Sequence, residues 1–253
     1  MFIILAFAYV LLGNNFRASK TLPVEVASAR NLKVDPKNID CKVSVPYPAD
    51  TAPIRSPQEV HSIIATKTLN RTIVEIGTRN GDGMTCFAKF AGSASAVEYD
   101  EKYCKKLERR ATRERVPFEI QCQDFNLADL DADFITWWQQ HPLTNLATLA
   151  RLKQLKCLGK VRPSAEAIPI FDMQWPRDME DFLELKPWFS WHEEVQFDEF
   201  DLCEKFKARG DEGSEETGFS CERSHGKFIV AGIPVANIPN SILACPTQER
   251  TNN

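Results

Sequence analysis

The fold is decided by Thr72-Ile-Val-Glu-Ile-Gly-Thr-Arg-Asn-Gly-Asp-Gly-Met-Thr-Cys86. Its first residues are β-branched apart from one glutamate, which is the pattern of a short buried strand. Gly77, Gly81 and Gly83 follow, and glycine permits positive φ and lets backbone N–H groups approach a ligand. A buried strand that runs into a glycine-rich turn predicts the first unit of a nucleotide-binding α/β sheet.

Outward from this stretch, apolar runs alternate with helical patterns, which is typical of a parallel sheet covered on both faces. Helices are predicted after Gly83, over 101–114 with Asp100 as N-cap, and over 143–158 with Thr144 as N-cap. Two late strands joined by an acidic loop predict an antiparallel hairpin at the sheet edge. The predicted strands are 72–76, 94–98, 118–122, 134–138, 165–171, 192–197 and 226–235. The fold class is therefore α/β, a doubly wound Rossmann-like seven-stranded sheet with a C-terminal antiparallel hairpin.

The chain divides into four predicted segments. Residues 1–20 form an apolar N-terminal signal or anchor segment, 21–55 a proline-containing linker or arm, 56–245 the compact domain, and 246–253 a polar tail. The domain is expected to begin near Ser56, with that serine as N-cap and Pro57 at the first helical position.

The apolar run over residues 2–13 is shorter than the roughly 20 residues that a helix needs to span a bilayer. It resembles the hydrophobic region of a secretory signal, although no Lys or Arg precedes it. The sequence therefore predicts a secretory-pathway or membrane-associated protein, with membrane attachment through residues 2–13. The alternative is a buried N-terminal element or a misassigned start, and then a cytoplasmic protein.

The net charge of -4 and the pI near 5.7 give no long-range attraction for nucleic acid. The basic side chains between Lys105 and Arg115 are expected to form the solvated face of an amphipathic helix. No nucleic-acid partner is therefore expected, and the predicted partner is a small molecule or a protein side chain.

Of the eight cysteines, Cys203 and Cys221 are predicted to form a disulfide that closes the acidic loop between them. Those at 86, 104, 122 and 157 fall inside predicted elements and are expected to be buried thiols. The sequence has no Cys-x-x-Cys pair and no Cys/His cluster with zinc spacing, so no metal site is predicted.

Acidic residues end the second and third predicted strands. Glu98 lies 21 residues after Gly77 (98 minus 77), where a carboxylate can accept hydrogen bonds from ribose hydroxyls. Asp124 ends the next strand and could accept a hydrogen bond from the exocyclic amine of adenine. Either acid alone could be a helix cap, but their register on successive strands predicts a nucleoside pocket.

VEIGTRNGDG, AVEYD and QDF resemble motifs I, II and III of class I S-adenosylmethionine-dependent methyltransferases. The resemblance covers roughly residues 72–235, and the late hairpin is similar to the antiparallel seventh strand of that family. It implies S-adenosylmethionine as cofactor. The implied cofactor-binding residues are Glu75, Gly77 and Gly81 at the methionine part, Glu98 at the ribose and Asp124 at the adenine. Arg79 stands where the family usually has glycine, and its side chain is expected either to clash with the cofactor or to turn outward and meet the methionine carboxylate or the substrate.

The candidate catalytic residues are His141 and Asp172. His141 follows the fourth strand and could act as a general base, because imidazole titrates near neutral pH; the alternative is a surface histidine. Asp172 ends the fifth strand and could be an acid, a base or a helix cap. The five tryptophans, all between 137 and 191, could line an acceptor pocket or pack in the core.

Three functions remain open from the sequence. The first is a methyltransferase with an unidentified acceptor. The second is a non-catalytic Rossmann-like binding or scaffold protein, suggested by Arg79 and by the absence of a known signature after the fourth strand. The third is an NAD(P)-dependent oxidoreductase, because Gly81-Asp-Gly83-Met-Thr-Cys86 is a variant of the dinucleotide fingerprint.

Overall fold

The computed structural model describes residues 32–46, 49, 57–138, 144–198 and 225–240. The strands are β1 (Thr72–Ile76), β2 (Ser93–Glu98), β3 (Glu119–Cys122), β4 (Phe134–Trp138), β5 (Glu166–Asp172), β6 (Trp191–Asp198) and β7 (His225–Pro234). They form one sheet in the order β3-β2-β1-β4-β5-β7-β6. β1 to β5 are parallel, and β7 runs antiparallel to both β5 and β6. The predicted seven-stranded sheet with a C-terminal hairpin is confirmed.

Helices cover both faces of the sheet. They are α1 (Cys41–Ser44), α2 (Gln58–Lys67), α3 (Asp82–Phe90), α4 (Glu101–Glu114), α5 (Asn145–Cys157) and α6 (Pro176–Leu185). Successive side chains of a strand point to opposite faces, so Ile73 packs with Met84 of α3 and Leu107 of α4 in one core cluster. Val74 packs with Leu149 of α5 in the other. The doubly wound arrangement follows from this alternation.

The helix starts agree with the sequence in two cases and differ in one. The side chains of Asp100 and Thr144 accept hydrogen bonds from the first turns of α4 and α5, as predicted. The serine cap on α2 is wrong, because the helix begins at Gln58 and Pro57 occupies the N-cap position without a side-chain hydrogen bond.

The segment before α2 packs against the domain. Ile39, Cys41 and Val45 are buried in the same cluster as α2 and α3. The Cys41 amide donates to Ser62 Oγ at 2.9 Å, and Lys89 Nζ of α3 donates to the Ser44 carbonyl oxygen. We call residues 32–46 and 49 the arm.

The expectation of buried thiols is wrong. Cys41 is bonded to Cys86, which joins the arm to α3, and Cys104 is bonded to Cys122, which joins α4 to β3. Cys157 is disulfide-bonded as well. The physical reason is proximity, since the paired Cα atoms are 5.6 and 5.8 Å apart, within the range that a disulfide requires. The predicted Cys203–Cys221 pair lies outside the described residues.

No helix in the ranges described above combines the length and apolar character needed to cross a membrane. The apolar run at 2–13 lies outside those ranges.

Candidate functional site

The carboxyl ends of β1, β2 and β3 bring the predicted cofactor residues to one edge of the sheet. β1 ends at Ile76, and Gly77 follows with φ of +73°. Its amide donates to the Val97 carbonyl oxygen of β2 at 2.8 Å. A Cβ added at Gly77 would meet no atom within 4 Å. The turn therefore presents bare backbone to open space at the point where a nucleotide would approach.

Glu98, the last residue of β2, is 6% exposed. Its Oε2 accepts from the Arg79 amide at 2.8 Å, and its Oε1 accepts from the Asp100 amide at 2.9 Å. A carboxylate has about four acceptor positions, so two backbone bonds leave capacity for ligand hydroxyls. The two amides also fix the carboxylate beneath the turn of residues 77–83, which we call the glycine turn.

The Arg79 side chain contacts α4. The residue has φ of +52°, a left-handed conformation that few non-glycine residues adopt. Its Nη2 donates to the Tyr103 hydroxyl at 2.7 Å, and the guanidinium lies 5.0 Å from the centroid of that ring. The side chain thus ends at α4, where the Tyr103 hydroxyl accepts its hydrogen bond.

A buried ion pair fixes the start of α3. Asp82 and Arg110 are 3% and 4% exposed, and Arg110 Nη1 lies 2.5 Å from Asp82 Oδ1. The same Nη1 donates to the Asn80 carbonyl oxygen at 2.8 Å. From the other side, the Ala49 amide of the arm donates to Asp82. The glycine turn is thus held between α4 and the arm.

The carboxylate of Glu75 faces the first turn of α3. A Cβ on Gly83 would lie 2.6 Å from Glu75 Oε1 and 3.1 Å from Nε2 of His61 in α2, so only glycine fits. Burial lowers the pKa of His61 to about 4, although the charge of Asp82 opposes the shift. The imidazole beside Glu75 is therefore neutral at neutral pH.

Asp124 follows β3 and forms a turn. Its Oδ1 accepts from the Asn126 amide at 2.8 Å and from Asn126 Nδ2 at 2.6 Å. Tyr99, next to Glu98, is 79% exposed. Glu98 thus ends β2, Tyr99 follows it, and Asp124 follows the neighbouring strand β3. A nucleoside base could lie at these strand ends.

Of the two predicted catalytic residues, the structure describes Asp172 alone. His141 lies outside the described residues. Asp172 ends β5 and is 6% exposed; its Oδ1 accepts from the Gln174 amide, and its own amide donates to Asp178 Oδ2. Burial raises the pKa of Asp178 to about 7, and the charges of Asp172 and Asp181 add to the shift. The Asp178 carboxyl group, whose pKa burial raises, therefore lies at the end of β5 beside the Asp172 backbone.

The tryptophans contribute mostly to packing. Trp137 is 2% exposed, and its Nε1 donates to Asn145 Oδ1 at 2.9 Å. Trp138 packs edge-on against Phe228. Trp188 and Trp191 pack against the two core clusters, whereas Trp175 is 46% exposed.

Sequence reasoning missed His61, Asp82 and Arg110 as parts of the site. Arg110 carried a usable signal, because it lies about two turns after Tyr103 and about one turn after Leu107 on the same helical stripe. Asp82 stands between two glycines at the predicted helix start, but its partner is 28 residues away. No local pattern indicates His61.

Comparison with known proteins shows similarity to solved structures and no match at the level of sequence. No protein-family model and no curated protein matches the sequence. A SAM-dependent methyltransferase from Aquifex aeolicus is similar at 17% identity and a TM-score of 0.46, over 79% of this chain and 100% of that one. A tRNA (m1A58) methyltransferase from the same organism is similar at 14% identity and 0.47, over 75% and 70%. A precorrin 8w decarboxylase from Methanobacterium thermoautotrophicum also has 14% identity and 0.47, over 72% and 93%.

The strand order, with β7 antiparallel between β5 and β6, is that of a doubly wound Rossmann-like sheet with a C-terminal antiparallel hairpin.

Proposed function

We propose that the protein binds S-adenosylmethionine at the carboxyl ends of β1, β2 and β3 and transfers its methyl group to an acceptor. The observation that carries the proposal is Glu98, a buried carboxylate held by two backbone amides beneath a glycine turn. Gly77 beside it faces open space. A carboxylate with remaining acceptor capacity next to bare backbone suits a ribose diol.

Each residue of the site has a proposed role. Glu98 accepts from the ribose hydroxyls, and Asp124 with Tyr99 faces the base. Gly77 lets the chain pass close to the cofactor, whereas Gly81, where a Cβ would lie 2.6 Å from Leu107 Cδ2, lets the turn pack against α4. Glu75, held at the first turn of α3, faces the methionine part of the cofactor. Arg79 acts indirectly, since its amide positions Glu98 and its side chain anchors the turn to Tyr103.

The chemistry supplied by the cofactor is an electrophilic methyl group on a sulfonium. The chain must align an acceptor with that methyl group and exclude water, which depends on geometry more than on a nucleophilic side chain. The end of β5 lies two strands from β1 at the same edge, so Asp172 and Asp178 are candidates to take a proton from the acceptor. His141 keeps the role of a candidate base. The acceptor is proposed to be a small molecule or a protein side chain.

A non-catalytic binding protein is the second candidate. The observation that favours it is that both oxygens of Glu98 already accept backbone hydrogen bonds, so the carboxylate has a structural role without any ligand. An oxidoreductase is less favoured, because the missing Cβ of Gly83 in the supposed fingerprint leaves room for the Glu75 and His61 side chains and not for a diphosphate.

The first test is calorimetric titration of the full chain with S-adenosylhomocysteine, with NADH as a second ligand. We expect micromolar binding of S-adenosylhomocysteine alone. Glu98→Ala should weaken it by about 1 to 3 kcal/mol, the value of hydrogen bonds to a charged group. Glu119→Ala is the matched control, since Glu119 is an exposed acid at the opposite end of the β2–β3 pair.

The outcomes separate the candidates. Binding that Glu98→Ala and Glu119→Ala leave equally intact would show that the ribose assignment is wrong. Binding without methyl transfer to any acceptor in a broad panel would favour the non-catalytic protein. Binding of NADH alone would favour the oxidoreductase.

We also propose that the protein works in the secretory pathway or at a membrane facing an oxidising compartment. Disulfides persist mainly in such compartments, and the paired cysteines of the described residues support the proposal. Protection of the chain from trypsin in intact microsomes would agree with it, and digestion without detergent would contradict it.

A further inference from the structure

We propose that the Cys104–Cys122 disulfide is a modification site. A dithiol reductant opens this bond, and its opening weakens the binding of the nucleoside half of the cofactor. The inference rests on the proposed function, because its readout is cofactor affinity. The Cys41–Cys86 bond, the other disulfide described in full, does not share this role.

The bond lies beside the residues proposed to hold the nucleoside. Cys122 is the last residue of β3 and is the register partner of Glu98 on β2. Cys104 lies in the first turn of α4, and its Sγ is 3.5 Å from the Glu98 carbonyl oxygen. Asp124 follows Cys122 by two residues. The disulfide therefore joins the ribose side of the pocket to the adenine side.

Apart from the disulfide, β3 is held by noncovalent contacts, among them hydrogen bonds from the Gln121 side chain to Ser95 Oγ and to the Asp129 carbonyl oxygen. It is the edge strand of the sheet, and its four described residues pair with β2 alone. None of the four is fully buried, and of the four only Ile120 packs against a core cluster. The disulfide is the covalent link of β3 to the helix layer, and opening it would leave the position of Asp124 dependent on these noncovalent contacts.

The two disulfides described in full differ in exposure. Cys122 is exposed and Cys104 is 3% exposed. Cys41 and Cys86 are both fully buried. Thiol–disulfide exchange requires access of the attacking thiolate to a sulfur atom, so a reductant in solution meets Cys122 first and does not reach the Cys41–Cys86 bond in the folded chain.

The reductant in this thiol–disulfide exchange is a dithiol. One thiolate of the dithiol attacks Cys122 Sγ, the bond to Cys104 breaks, and Cys104 leaves as a thiolate that takes up a proton. The second thiol of the reagent then displaces Cys122, which also becomes a thiol. The protein gains two electrons and two protons, and the dithiol becomes a disulfide.

The test uses the oxidised full chain and a limiting concentration of dithiothreitol. Free thiols are alkylated and mapped by mass spectrometry, and binding of S-adenosylhomocysteine is measured by calorimetry on the same sample. We expect alkylation of Cys104 and Cys122 before Cys41 and Cys86, with affinity at least tenfold weaker and restored by reoxidation. Unchanged affinity with that bond open, or earlier opening of Cys41–Cys86, would overturn the proposal.

Two variants separate this bond from the others. Cys104→Ser/Cys122→Ser should bind as weakly as the reduced protein and no longer respond to dithiothreitol. Cys157→Ser should keep the response, because Cys157 lies at the end of α5 in the other helix layer. If the double variant fails to fold, the measurement on the reduced native chain still decides. If the oxidised native chain does not bind S-adenosylhomocysteine at all, the proposed function itself fails.

Discussion

At the scale of single residues, Gly77 and Gly159 offer a matched pair. Both have φ of +73°, and a Cβ at either would meet no atom within 4 Å. Alanine at each position should therefore cost about 1 kcal/mol of folding free energy through the left-handed backbone alone. Gly77→Ala should in addition weaken S-adenosylhomocysteine binding at least tenfold, since its methyl group would occupy space proposed for the cofactor.

Gly159→Ala is the control, because Gly159 follows α5 and has no place in the proposed site. Thermal unfolding measures the backbone cost, and calorimetry measures the affinity. Equal affinities for the two variants would place the cofactor away from Gly77.

Sequence reasoning at this scale predicted which residues lie at the strand ends and missed side chains whose partners are distant in the chain. Glu98 and Gly77 could be predicted because parallel strands bring their carboxyl ends to one edge. Arg110 was assigned to a solvated basic face, yet it is 4% exposed. Composition alone cannot separate one inward arginine from outward neighbours, whereas helical phase could have done so.

At the scale of elements, the buried pair of Arg110 and Asp82 joins α4 to the start of α3. Removal of one partner leaves an uncompensated buried charge, which typically costs 3 to 5 kcal/mol. The Ala49 amide still donates to Asp82, so we expect Arg110→Leu to lose about 3 kcal/mol of unfolding free energy. Urea denaturation near pH 7 measures it.

Arg113→Leu is the matched control on the same helix. The Arg113 side chain is 72% exposed and pairs with Glu114, and such surface pairs contribute about 0 to 1 kcal/mol. Similar losses in the two variants would mean that the Arg110–Asp82 pair adds nothing specific.

Elements were predicted well because strand and helix periods are local, but disulfide pairing was not. Cys104 and Cys122 are separated by 18 residues, the same separation as the predicted pair of Cys203 and Cys221. Loop length therefore cannot distinguish the two. Only the packing of α4 against β3 brings Cys104 and Cys122 within bonding distance, and no local pattern contains that information.

At the scale of the whole molecule, Asp178 couples stability to pH. Burial raises its folded-state pKa to about 7, above the ordinary value of 3.8. The folded state therefore holds this proton more tightly than the unfolded state, and stability from this group is lost as pH rises through that interval. The native chain should lose about 2 kcal/mol of unfolding free energy from this group between roughly pH 5 and pH 7, and Asp178→Asn should not show that loss.

The comparison uses urea unfolding across that range. Asp178→Asn should be more stable than the native chain near pH 8 and similar to it near pH 4, and the asparagine oxygen can still accept from the Asp172 amide. Glu180→Gln, an exposed position on the same helix, should leave the slope unchanged. An unchanged slope in Asp178→Asn would assign the effect to other carboxyl groups.

The topology of the whole molecule could be predicted because each predicted strand carried its own signal and parallel strands with intervening helices allow few arrangements. The packing of the arm against α2 and α3 could not be predicted in the same way. Proline-containing sequence shows that a segment is irregular, whereas the surface that it covers depends on the tertiary structure.

The Cys41–Cys86 bond makes part of this molecule a closed covalent ring. The ring contains α2, β1 and the whole glycine turn, because all of them lie between the two cysteines. Even when every hydrogen bond of β1 is broken, the two ends of this segment stay tethered, so the denatured chain has fewer conformations to gain. A single peptide cleavage inside the ring would leave the two pieces joined, and the turn would remain attached to both.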